Sequence, residues 1–190
     1  MNKTIVLLII SDIFVLTGFG LMQPILAIFI KENLVGGTIF AAGTASMIFM
    51  VTKSIVQLPL SKIVDRSKRG FRRKFVVIGT LLLSTVPFIY IFSNHVNFIY
   101  LAQIIEGFGS GLAYPSWVGI WSRSSDINQR SFHWSLYSTL TGIGTGAAAL
   151  IGAAIAELFG FVYTFLLVGI MSLFGCFILL GLEKRVNLLV

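Results

Sequence analysis

Six apolar runs, each 18 to 27 residues long, leave this 190-residue chain few folds to choose from. An α-helix needs about 20 residues to cross the roughly 30 Å hydrocarbon core of a bilayer, so each run is long enough. Only 11% of the residues are charged, against about 25% in an ordinary soluble domain. The sequence therefore predicts an all-α membrane protein, one domain over residues 1–190 with six transmembrane helices. The predicted spans are approximately 4–30, 38–64, 75–92, 98–121, 132–158 and 161–182.

The basic residues are distributed unevenly over the connections between these runs. With the amino terminus placed inside, twelve of the fourteen Lys and Arg residues fall on that side, seven of them within 62–74. Because cytoplasmic loops carry such an excess, we expect a multi-pass protein of the cell membrane (plasma or bacterial inner membrane) with both termini cytoplasmic. The net charge of +7 does not indicate a nucleic-acid partner, since the basic run adjoins membrane segments and has no recognisable binding fold.

Three ionisable side chains, Asp12, Lys53 and Glu106, lie deep inside three different apolar runs. A charge at the bilayer centre costs roughly 2.5–3.5 kcal/mol even on lenient scales, so such residues usually face a water-filled path or one another. All three reach depths near the midplane and can meet there. One lysine neutralises at most one carboxylate, so the other must take up a proton or face a cationic substrate. The structural alternative is that Lys53 pairs with Asp12 or Glu106 to fix helix packing.

Helical spacing places further polar and aromatic groups on the same faces as these charges. Positions 12, 16, 19 and 23 form one stripe, positions 46, 50, 53 and 57 a second, and positions 103, 106, 110, 113 and 117 a third. For the glutamines, hydrogen bonding between helices is the alternative role, and for the aromatic residues, anchoring at the membrane interface. The predicted substrate and proton pathway comprises Asp12, Gln23, Lys53, Gln57, Gln103, Glu106, Tyr114 and Trp117.

The other runs are predicted to have structural roles. Runs 75–92 and 161–182 contain no Asp, Glu, Lys, Arg or His, so we expect them to face lipid. Run 132–158 is rich in Gly and Ala, which allows helix backbones to approach closely. Proline removes a backbone hydrogen bond and bends a helix, and four prolines fall inside predicted helices: Pro24, Pro59, Pro87 and Pro115.

No motif in the chain indicates enzymatic chemistry. No serine lies in a nucleophile-elbow pattern, and no Cys/His cluster has metal-ligand spacing. His95 and His133 fall on opposite sides of the predicted membrane, and Cys176 is the only cysteine. We therefore expect no catalysis, no metal and no cofactor.

Three stretches of the sequence resemble motifs of a known family. Residues 61–74, which read SKIVDRSKRGFRRK, are similar to the Gly-x-x-x-Asp-Arg-x-Gly-Arg-Arg loop between helices two and three of the major facilitator superfamily. The first run, with Gly-Phe-Gly at 18–20 and then Pro24, looks like the opening helix of that family, especially of its drug and proton antiporter branch. Residues 103–111 are similar to its Arg-x-x-Gln-Gly-x-Gly segment, with Glu106 where the family has glutamine.

The resemblance implies a secondary transporter that moves a small molecule by alternating access. Coupling to protons through Glu106 or Asp12 is the accompanying hypothesis. The resemblance also implies that the cytoplasmic loop motif acts as a latch between halves of the transporter and does not contact substrate. That motif comprises Asp65, Arg66, Arg72 and Arg73.

Family members usually contain two six-helix halves related by an axis along the membrane normal. This chain supplies one half, so we expect its partner to be a second copy in a homodimer or a separate C-terminal half. The other expected partners are the lipid bilayer and a small-molecule substrate. A different class of function remains open, a non-transporting membrane interaction or assembly subunit whose buried charges dock a partner span.

Overall fold

The computed structural model describes residues 3–67 and 69–182, and this part of the chain is almost entirely helical. Within it, β-pairing is limited to one isolated bridge between Val35 and His95, so the predicted all-α fold is confirmed. Lys68, Lys184 and Arg185, which contributed to the predicted orientation, lie outside the described residues. The helices are α1 (Lys3–Met22), α2 (Leu26–Asn33), α3 (Ile39–Arg66), α4 (Arg69–Ile91), α5 (Val96–Ser124), α6 (Arg130–Phe159) and α7 (Phe161–Leu180).

Five of the described helices, α1, α3, α4, α6 and α7, are long and apolar enough to cross a membrane. Helix α5 is not among them, although its 29 residues correspond to about 43 Å of helix. This helix contains the polar side chains Gln103 and Glu106 within its length. Each predicted span overlaps one long helix, and the division into six spans stays a prediction.

Proline 24 interrupts the first predicted span instead of bending it. Helix α1 ends at Met22, the chain makes a turn, and α2 begins at Leu26. Because proline has no N–H to donate and its ring crowds the preceding turn, a continuous helix over 4–30 was not the correct expectation. The other three prolines remain inside α3, α4 and α5, as predicted.

The long helices pack as an open arc. Helix α5 packs between α3 and α4, α4 packs on α7, α7 on α1, and α1 on α6, so that α3 and α6 form the two ends of the arc. Glycines allow close approaches between the helices, as two examples show. A Cβ atom on Gly107 would lie 2.7 Å from the Phe49 carbonyl oxygen on α3, and one on Gly152 would lie even closer to the Leu21 carbonyl on α1. The predicted close packing of the Gly/Ala-rich run is thus present at Gly152.

Helices α3 and α6 are far less covered than the others. Within the chain, 11% of the apolar window of each is buried, compared with 44–50% for α1, α4 and α7. Their uncovered surfaces carry large apolar side chains: Met47, Ile55, Leu58, Ile143, Leu150 and Leu158. Helices α4 and α7, which were predicted to face lipid, are the two middle members of the arc and contribute only Leu83 to the lining of its inner cavity.

Candidate functional site

A cavity of about 800 Å³ opens on the inner side of the arc. Helices α1, α2, α3, α5 and α6 line it, whereas α4 contributes only Leu83 and α7 contributes none of the lining residues. Its size lies within the range of about 300–1,000 Å³ that is usual for small-molecule sites. Most of the lining is apolar, and the polar or charged side chains on it are Gln23, Ser46, Lys53, Gln103, Glu106, Ser110, Ser138, Thr141 and Thr145.

Glu106 lines this cavity and is held by a hydrogen-bond network. The Tyr90 hydroxyl donates to Glu106 Oε2 over 3.3 Å, and Gln103 Nε2 donates to the same oxygen over 2.8 Å. Gln103 Nε2 also donates to the Tyr90 hydroxyl oxygen, which ties the three side chains together. Among the described residues, no donor reaches Glu106 Oε1. One carboxylate oxygen is therefore fixed, and the other remains available to a ligand.

Lys53 lines the same cavity without an ion pair to any described residue. Its Nζ atom lies 5.3 Å from the centre of the Tyr114 ring and 5.7 Å from that of the Phe49 ring. These distances are within the range of cation–π contacts, which stabilise the ammonium without neutralising it. The pairing of Lys53 with Asp12 or Glu106, left open by the sequence, is not present in the described part of the chain.

Asp12 lies apart from the cavity. Its Oδ2 atom accepts a 2.7 Å hydrogen bond from the Tyr137 hydroxyl of α6. Tyr137 belongs to an aromatic cluster with Trp117, Trp121 and Trp134, in which neighbouring ring centres are 5.0–6.3 Å apart. Neither Asp12 nor any member of this cluster is among the residues that line the cavity. The prediction that Asp12 meets Lys53 and Glu106 near the midplane is therefore wrong for Asp12.

The eight predicted pathway residues divide into two sets. Gln23, Lys53, Gln103 and Glu106 line the cavity, whereas Asp12, Gln57, Tyr114 and Trp117 do not. Tyr114 still contacts the Lys53 ammonium, and Trp117 is buried in the aromatic cluster, stacked on Trp121. The structure thus brings together one half of the set, and the transport roles of all eight residues stay predictions.

Sequence analysis missed the two tyrosines that hold the buried carboxylates, Tyr90 and Tyr137. A phenol inside an apolar run usually finds a hydrogen-bond partner, and this signal was present in both runs. Tyr90 is completely buried, which makes such a partner necessary.

The loop motif holds the end of α3 in place. Arg72, itself buried, donates from Nε to the Val64 carbonyl over 2.8 Å and from Nη2 to the Ser67 carbonyl over 2.8 Å. Arg123 Nη2 donates to the Asp65 carbonyl over 3.2 Å. These bonds satisfy carbonyl groups that a helix end leaves without intrahelical partners. Arg73 is also buried, Asp65 and Arg66 are exposed, and the latch role of the motif stays a prediction.

Comparison with known proteins agrees with this architecture. The quinolone resistance protein NorA of Staphylococcus aureus is 24% identical over 157 residues, which cover 83% of this chain and 39% of NorA. Multidrug resistance protein 2 of Bacillus subtilis is 28% identical over 155 residues, covering 79% of this chain and 38% of that protein. The POT family transporter PepTSo has a similar fold, with a TM-score of 0.79 at 17% identity over 97% of this chain and 38% of that one.

The chain therefore spans about two fifths of the length of the relatives it matches. A profile of the Major Facilitator Superfamily matches residues 8–188, almost the whole sequence. The arc of long helices, the multi-pass composition and this match lead to one conclusion. The chain is a member of the Major Facilitator Superfamily.

Proposed function

We propose that this chain is one six-helix half of a secondary transporter that moves a small molecule across the membrane by alternating access. The observation that supports this most strongly is the cavity of about 800 Å³, into which Lys53 and Glu106 both open. Ionisable groups at membrane depth that face a cavity are typical of substrate and ion pathways. A subunit that only docks a partner span has no need of such a cavity, so that alternative is not favoured.

The relatives point to the class of molecule that is carried. NorA and multidrug resistance protein 2 are named for resistance to quinolones and to several drugs. The largely apolar lining of the cavity, with a few polar groups, fits amphipathic compounds small enough for a volume of about 800 Å³. An amphipathic organic compound is therefore the proposed substrate.

Proton coupling is proposed at Glu106. A carboxylate that has one oxygen fixed by Tyr90 and Gln103 and the other available can exchange a proton for a cationic group. Uptake of a fluorescent quinolone into proteoliposomes, with and without a pH gradient, tests transport and coupling together. Gradient-dependent uptake supports the proposal, and equal, non-saturable entry with and without protein contradicts it.

A second half is proposed to cover the uncovered surfaces of α3 and α6. Because the chain spans only about two fifths of its relatives, the natural occupant is a six-helix half of the same fold and orientation. Both termini would then lie in the cytoplasm of a cell-membrane protein, with Asp65 near the start of the helix in the other half that corresponds to α6. In a homodimer that position corresponds to Ser131.

Disulfide crosslinking tests which chain supplies the second half. The described part of the chain has one free cysteine, the buried Cys176, so Cys176→Ser gives a background for the pair Asp65→Cys and Ser131→Cys. A covalent dimer supports a second copy of this chain, and only monomer counts against the homodimer and leaves a separate C-terminal half. If lipid-soluble photolabels react with Leu58 and Leu150 throughout the population, no protein covers these surfaces and the proposal fails.

A further inference from the structure

The cavity contains two opposite charges that do not form an ion pair with each other. Lys53 and Glu106 both line it, but no ion pair within 4 Å joins them among the described residues. The backbones are close at this level, since a Cβ atom on Gly107 would lie 3.0 Å from the Lys53 backbone nitrogen. The two side chains nevertheless have different partners, with the Lys53 ammonium over the Tyr114 ring and the Glu106 carboxylate bound to Tyr90 and Gln103.

Keeping the charges of Lys53 and Glu106 unpaired inside the membrane is energetically unfavourable unless other groups compensate them. Charged groups removed from water are normally paired, because transferring an isolated ion into an apolar environment is strongly unfavourable. Each group here has a fixed orientation and an available side: the ammonium has three donors, and Glu106 Oε1 is an acceptor without a described donor. The site is thus arranged for two ligand charges of opposite sign.

Most of the lining of the cavity that contains the two charges is apolar. Phe19, Leu26 and Phe49 line the cavity together with Met50, whose flexible thioether adapts to ligands of different shape. Such a lining favours a hydrophobic body between the charged ends and gains free energy in proportion to the apolar area that it covers.

The geometry points to an amphipathic zwitterion as the substrate class, with its anionic group on Lys53 and its cationic group on Glu106 Oε1. This inference rests on the proposed transport function and specifies its substrate. A simple cation would leave Lys53 without a counter-ion, and a simple anion would leave Glu106 charged unless a proton accompanied it. A zwitterion compensates both groups and adds no net charge to the membrane interior.

Three compounds built on one scaffold test the two contacts separately. Norfloxacin carries a carboxylate and an amine, its ethyl ester lacks the carboxylate, and its N-acetyl derivative lacks the basic amine. Binding of each is measured by fluorescence in proteoliposomes that contain the full chain and the second half with which it assembles, with uptake recorded in parallel. We expect norfloxacin to bind about tenfold more tightly than either derivative, since a hydrogen bond to a charged group contributes about that factor.

Variants of the chain then assign each contact. Lys53→Met should weaken norfloxacin about tenfold, leave the ester unchanged and be largely rescued by Lys53→Arg. Glu106→Gln should weaken norfloxacin and leave the N-acetyl derivative unchanged. Lys62→Met is the matched control, because this lysine lies on the same helix and is exposed away from the cavity.

The possible failures are distinguishable. If norfloxacin binds with this charge dependence but is not taken up, the substrate class holds and the transport function fails. If all three compounds are taken up equally, transport holds and the zwitterion inference is overturned. An equal loss for all three compounds in Lys53→Met also overturns it, because Lys53 would then neutralise a fixed group of the second half. Absence of saturable binding for every compound overturns both.

Discussion

Two regions of this bundle, the cavity end around Glu106 and the aromatic end around Asp12, each hold a carboxylate by a tyrosine but differ in their surroundings. At the cavity end, Tyr90 holds Glu106, and at the aromatic end, Tyr137 holds Asp12. Glu106 has a second donor on the same oxygen and opens to a space of about 800 Å³, whereas Asp12 lies beside closely packed indole rings and does not line the cavity. The same tyrosine–carboxylate contact thus occurs once at the cavity and once away from it. Access to a ligand distinguishes the two, and chemical identity does not.

Neutralising each carboxylate in turn should give the largest difference between the two ends. Glu106→Gln is expected to reduce gradient-driven uptake at least tenfold, because the amide cannot exchange a proton, whereas Asp12→Asn should retain most of it. The measurement is initial uptake of norfloxacin in proteoliposomes that contain the chain and the second half with which it assembles. Glu157→Gln, on an exposed acid of α6, serves as the control. Equal losses for both carboxylates would mean that the two ends are functionally equivalent.

Enlarging a glycine at the cavity end should have the next largest effect, this time on stability. In Gly107→Ala the new methyl group would meet the Phe49 carbonyl oxygen at 2.7 Å and the Thr52 Cβ at 2.8 Å, so α3 must move away from α5. Overpacking of this kind costs about 1–3 kcal/mol of the free energy of unfolding, which SDS titration in mixed micelles can measure.

Gly142→Ala provides the comparison on the same cavity. A Cβ atom there meets nothing within 4 Å, and alanine favours the helical conformation, so this variant should be neutral or slightly stabilising. If both substitutions proved neutral, the close contact of α3 with α5 would not be what holds these two helices together at the cavity.

Removing the hydroxyl of Tyr137 or of Tyr90 should affect the free energy of unfolding and the uptake in opposite orders. Tyr137→Phe removes the described hydrogen bond of Asp12 and should cost about 2 kcal/mol of unfolding free energy. Tyr90→Phe should cost about 1 kcal/mol, because Gln103 still donates to Glu106 Oε2. Uptake should show the reverse order, with the larger loss in Tyr90→Phe. The same order in stability and in uptake would contradict the functional difference between the ends.

Much of this arrangement was predictable from sequence, and particular residues show where prediction stopped. Apolar run length placed the helices, and helical periodicity put Gln103 and Glu106 on a cavity-lining face, because both properties are local. The Tyr90 and Tyr137 contacts join helices that are distant in sequence, Asp12 and Tyr137 being 125 residues apart. Such contacts depend on the rotation of each helix and on side-chain rotamers, which periodicity does not specify.

The contact made by Lys53 and the turn at Pro24 also depend on how distant helices pack, which the local sequence does not specify. Sequence predicted that Lys53 lies at membrane depth where it can meet two acids of other helices, but its contact with Tyr114 follows from how α3 meets α5. Proline indicated a bend in the first span, while the packing of α2 residues Phe29 and Ile30 in the core determines that the helix restarts at Leu26.

The smallest expected effect concerns the packing of the aromatic end. Trp117 is 6% exposed, and its Nε1 atom is buried without a hydrogen-bond partner in the described part of the chain. Trp117→Phe loses packing area but also removes an unpaired buried donor, whose desolvation costs about 1–3 kcal/mol, so the two changes should nearly cancel. Trp121→Phe removes a similarly buried ring that has no such unpaired atom, and it should therefore destabilise more, by about 1 kcal/mol. Unfolding of both variants by SDS titration gives the difference. If Trp117→Phe were the more destabilising of the two, the indole nitrogen would have a partner in the assembled transporter, and the aromatic end would contain a polar contact as the cavity end does.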